Sequence, residues 1–95
     1  MAENMGMLFR QHRLVVVELL LSNGADVNAQ GGRYGNALQA ASSSGHRYVV
    51  ELLLSNGAYV NAQGGFYGNA LQAASSSGHR DVVELLLSNG ADVNA

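Results

Sequence analysis

Three histidines, His12, His46 and His79, and two serine triplets, Ser42–Ser44 and Ser75–Ser77, carry most of the reactive chemistry in this chain. Imidazoles could ligate zinc, and a serine beside a histidine could start acyl transfer. The spacing speaks against both. His46 and His79 occupy equivalent places in two copies of one sequence. Stacked copies would hold them roughly 8–10 Å apart, the distance of packed helices. A zinc ion needs its nitrogens within about 2.1 Å. The serines recur together with everything around them, and no third group is specified to orient a base or hold an oxyanion. "GGRYGN", residues 31–36, is a glycine-rich opening to a helix, but it lacks the Lys-Ser/Thr of a phosphate loop and the spacing of G-x-G-x-x-G. No catalytic residue, metal ligand or cofactor site is expected, and the chain reads as a non-enzyme.

The elements that position these residues are written in a repeat. Residues 31–62 and 64–95 differ only at 33/66, 48/81 and 59/92, and residues 16–30 copy the back half again, giving a period of 33. Each unit is punctuated in the same way. Asn36 precedes an apolar pattern with Gln39 three residues on, a capping-box arrangement that predicts a first helix over about 37–44. Gly45 suits the left-handed position that ends such a helix. His46 and Arg47 then open a second helix to about Ser55, whose valines and leucines wrap most of its circumference. Arg47–Glu51 and Arg80–Glu84 fall at i, i+4 as surface pairs, and Glu18 is the matching residue upstream. Asn-Gly at 56–57 follows a dense apolar run, so it marks a helix end. The hairpin is expected later, around Gln63-Gly64-Gly65.

A helix–glycine–helix–hairpin unit of this length resembles the ankyrin repeat. The matching letters are Gly45-His46, Val49-Val50, Leu53-Leu54 and the "GA-VNA" frame at 57–62, with "AL-AA" at 37–41. The chain writes Asn36-Ala37-Leu38-Gln39 where the family usually writes Thr-Pro-Leu-His, and it has no proline. The variant "YGNALQAAS…GH" is similar to ankyrin arrays at the end of fungal NACHT-type receptor proteins. The resemblance implies an all-α solenoid of helix-turn-helix units with β-hairpin fingers. It further implies protein binding through hairpin tips and the concave surface of the first helices, here near Ser43, Ser44, Ser76 and Ser77. One domain over 1–95 is expected: a partial N-terminal unit (1–30), a repeat (31–63) and an uncapped repeat (64–95). In the first unit Gln11-His12-Arg13 replaces Gly-His-Arg, so residues 5–22 form either one long helix or two short ones. The uncapped apolar ends suggest self-association, as a homodimer or higher assembly, if the chain is a fragment of a longer array.

Composition narrows the partners. The 95 residues carry five arginines, no lysine and a formal charge of −2, without the basic stripe of a nucleic-acid binder. No cysteine is present, which fits a reducing, intracellular and cytoplasmic setting. No apolar run reaches the ~18 residues of a membrane span, and Glu3 and Glu18 break the N-terminal segment as a signal peptide.

What varies between copies points to the binding surface. Asp26 and Arg33 flank the first hairpin, Tyr59 and Phe66 the second. An even loop would put both members of a pair on one face, in cross-strand contact; an odd loop would send them to opposite faces. Tyr48 stands where the next copy has Asp81. Exposed aromatics and arginine are frequent interface anchors, so Arg33, Tyr48, Tyr59 and Phe66 join the four serines as candidate partner-binding residues. Internal packing, drift or engineering are the plainer alternatives. For Tyr34 and Tyr67, identical in both copies, packing is the expected role.

Overall fold

The structure is a computed structural model, and it describes residues 13–95. The question of one or two helices over 5–22 therefore lies mostly outside the described residues. Residues 13–22 are helical (α1). After it come α2 (Ala37–Ser43), α3 (Arg47–Ser55), α4 (Ala70–Ser76) and α5 (Arg80–Ser88).

Local chemistry sets each helix. Asn36 and Asn69 sit in extended backbone, and their side chains accept from the N–H of Gln39 and Gln72 at 2.8 Å, as the capping pattern requires. The glutamine half of the expected box does not close. Gln39 makes no bond back to its own cap and donates from Nε2 to the carbonyls of Gly64 (2.9 Å) and Gly68 (3.1 Å) in the next unit. At 1% exposure it does more there, by satisfying two carbonyls of the neighbouring turn, than it could at an N-terminus.

Helices of seven residues such as α2 and α4 would not persist alone; packing keeps them. Within a unit α2 lies on α3 and α4 on α5; between units α2 lies on α4 and α3 on α5. Alanines make the first-helix layer thin: Ala70, Ala73 and Ala74 are buried against α2. Leu38, Val50, Leu53, Val82 and Leu86 fill the core between the layers. Burial of each such side chain stabilises by about 1.5–3 kcal/mol.

Two glycines are dictated by contact as well as by turn geometry. Gly45 has φ +71°, and a Cβ there would meet the His79 ring at 2.6 Å. Gly65 has φ +67°, and a Cβ there would lie 2.5 Å from the backbone carbon of Tyr34. Units thus approach backbone to side chain at one end and backbone to backbone at the other.

The fingers depart from the expected hairpins. Among the described residues there are no β-strands; each finger is closed by one antiparallel bridge, Gly31 with Gly35 and Gly64 with Gly68. Glycines at five of the seven places in 31–35 and 64–65 favour turns over a ladder. An aspartate-stabilised turn replaces the incoming strand: Asn28 N–H donates to Asp26 Oδ1 at 2.9 Å and Ala29 N–H to the Asp26 carbonyl at 3.1 Å.

Candidate protein-interaction surface

The fingers are joined to one another as well as closed on themselves. Asn28 donates from Nδ2 to the Gly57 carbonyl (3.0 Å) and accepts from the Tyr59 N–H (2.8 Å). One period on, Asn61 makes the same two bonds to Gly90 (3.1 Å) and Asp92 (2.8 Å). Each asparagine caps a peptide segment of the following unit at both polar ends, which fixes the spacing of consecutive turns. The asparagines recur with the period, so the signal was present in the sequence. Their partners lie 29 and 31 residues away, which a repeat alone does not reveal.

The tips are locked in the same manner. Phe66 N–H donates to the Arg33 carbonyl at 2.8 Å, and the Arg33 guanidinium carbon lies 5.6 Å from the centroid of the Phe66 ring. Tyr67 meets Phe66 edge-on, with centroids 5.1 Å apart. This corrects the expected pairing within one hairpin. Among the described residues Phe66 has its ring contacts with Arg33 and Tyr67, and none with Tyr59. Positions 33 and 66 are equivalent places in consecutive units, and stacking brings equivalent places together. The variation is therefore complementary between units.

The expected site residues fall into two groups. Tyr59 (68% exposed) and Phe66 (73%) project from the turn side with Arg33, and Tyr48 (44%) stands in the first turn of α3. Ser44, Ser76 and Ser77 are exposed at the ends of α2 and α4. Ser43 is half-buried, with its carbonyl 3.2 Å from His79 Nε2. Arg33 and Phe66 are the pair brought into contact. Tyr67 is half-buried as expected of a packing residue, whereas Tyr34 is exposed at 42% because the tip leaves it at the edge.

His79 serves structure: its ring spans from one inter-helix turn to the preceding one, across Gly45. His46 is held below its ordinary pKa, by burial first, then by the charges of Arg13 and His79. The i, i+4 pairs are formed, Arg47 with Glu51 at 3.3 Å and Arg80 with Glu84 at 2.9 Å.

The geometry is that of stacked helix pairs with bonded turns projecting to one side. The family model of ankyrin repeats, three copies, matches residues 7–95. The chain belongs to the ankyrin-repeat family. Among curated proteins no match is found. Ankyrin repeats are generally protein–protein interaction modules and typically non-catalytic, and this chain is an all-α helical array of that kind. Among the described residues no helix is long and apolar enough to cross a membrane.

Proposed function

We propose that this ankyrin array is a non-catalytic scaffold that binds a protein partner through its finger tips and the concave ends of its first helices. Arg33, Tyr59 and Phe66 form the first part of that surface, and Ser43, Ser44, Ser76 and Ser77 the second, with Tyr48 at the inter-helix turn. The observation that carries the reading is the exposure of Tyr59 and Phe66, 68% and 73%, on turns whose backbones are tied to the preceding unit. Rigid exposed aromatics bind at low entropic cost. A single domain over 1–95 and an intracellular, cytoplasmic setting without nucleic acid or membrane complete the reading. Photo-crosslinking tests it. A benzophenone amino acid at position 66 or 76 should capture a discrete protein from extract, and one at 84 should not. Equal labelling from all three positions would reject a defined surface.

Self-assembly is the second reading, and one comparison favours it. Gln39 and Ser42 are buried by the following unit, while their equivalents Gln72 and Ser75 are exposed, as is Leu87 beside half-buried Leu54. The Asn94 side chain has no partner among the described residues, and neither do the Gly24 carbonyl and the Asp26 N–H. These are the two groups that Asn94 of a second copy would take in the register of Asn28 and Asn61. Sedimentation velocity over a wide concentration range separates the readings: concentration-dependent growth that Asn94→Ala abolishes supports assembly, and a constant monomer removes it.

A further inference from the structure

We propose that the Arg33–Phe66 pair is a carboxylate reader, which makes the partner's contact segment an acidic peptide with an apolar side chain beside its Asp or Glu. The inference rests on the scaffold reading and specifies the chemistry of its finger surface.

Three observations lead to it. The first is how the arginines are spent. Arg47 and Arg80, identical between copies, are ion-paired with Glu51 and Glu84. Arg33 stands where the next copy has Phe66, and among the described residues no carboxylate lies in salt-bridge range of it. Its guanidinium retains its N–H donors, a planar fork that matches a carboxylate with two parallel bonds.

The second is presentation. The Phe66 ring lies beside the guanidinium at 5.6 Å, a cation–π contact that leaves the edge of the fork open. The two backbones are joined by the 2.8 Å bond from Phe66 N–H to the Arg33 carbonyl, and Gly65 presses against the Tyr34 backbone too closely to admit a Cβ. Arginine usually loses much rotamer freedom on binding; here part of that loss is met before a partner arrives.

The third is the apolar surface next to the charge. Phe66 is 73% exposed although Tyr67 covers one edge at 5.1 Å, and Tyr34 stands exposed on the adjoining tip. A carboxylate on Arg33 would place the neighbouring residue of its own chain over these rings. The charge of −2 over the chain offers an acidic partner no long-range attraction. Recognition is therefore by contact, and its salt dependence should be that of a single ion pair.

The test is selection of a random dodecapeptide display library on the intact protein, followed by titration of the most enriched peptide. Enriched sequences should share Asp or Glu next to an apolar residue. Arg33→Gln should weaken the enriched peptide about tenfold or more, as for loss of a charge-assisted hydrogen bond. Arg33→Lys should weaken it as well, because an ammonium offers no fork. Phe66→Ser should do the same, and an unchanged helical circular-dichroism spectrum shows that the fold persists. Acid-free consensus sequences overturn the inference. So does binding that tolerates Arg33→Gln but is lost with Tyr59→Ser or Phe66→Ser, which leaves the scaffold reading standing. Binding indifferent to all these substitutions, or no enrichment over an unrelated protein, counts against both.

Discussion

Gly45 is constrained twice, by a backbone at φ +71° and by the His79 ring that a Cβ would meet at 2.6 Å. Gly45→Ala should therefore destabilise the array by about 1–2 kcal/mol in urea unfolding, more than the ordinary gain from removing a glycine. His46, next in the chain, sits in a cleft with Arg13, Arg47, Tyr48 and Asp81 and faces His79 from the following turn. Its folded pKa is depressed, by burial first and then by Arg13 and His79. Between that value and the ordinary one of about 6.5 the unfolded chain binds more protons than the folded one. This contribution to stability is intact above about pH 6.5, is lost as the pH falls through the window, and levels off below the folded value. Unfolding midpoints from pH 7.5 to 5 should show the loss, and His46→Gln should reduce it. A His46→Gln protein with an unchanged pH slope would show that the acid sensitivity arises elsewhere.

At the scale of elements, the turns and helices are held by side chains that reach into the next unit. Asn28→Ala and Asn61→Ala each remove two bonds to backbone and should cost about 1 kcal/mol each. Gln39→Ala leaves the Gly64 and Gly68 carbonyls without their buried donor and should cost about 2 kcal/mol, whereas Gln72→Ala, exposed and bonded to the Ala95 carbonyl, should stay within about 0.5. Equal effects from the two glutamines would show that the inter-unit bonds contribute little. These pairs also show what the sequence made legible. The period of 33, the asparagine caps and the glycine ends located four helices closely, because capping and chain reversal are local. The use of Gln39 across units was not legible: a capping box and an inter-unit clamp require the same letter at the same place. The fingers were read as hairpins because β-branched and aromatic residues flank the turn; repeated glycines and the Asp26 turn prevent a ladder.

For the whole molecule, stacking turns sequence variation into surface. Arg33 and Phe66 stand out as candidate binding residues by their divergence alone, and the sequence could not show that they meet, because the contact follows from superposing equivalent positions. The same superposition gives the array a rigid turn side on which Tyr59 and Phe66 stay exposed. The most direct test is an amide NMR titration of the array with the protein captured by crosslinking at position 66. The account predicts shift changes at Arg33, Tyr59 and Phe66, whose Tyr59 and Phe66 N–H groups report on bonds to Asn28 and Arg33, with Glu84 and its neighbours unmoved. Changes confined to the helix face around Glu84, with Arg33, Tyr59 and Phe66 silent, would contradict it.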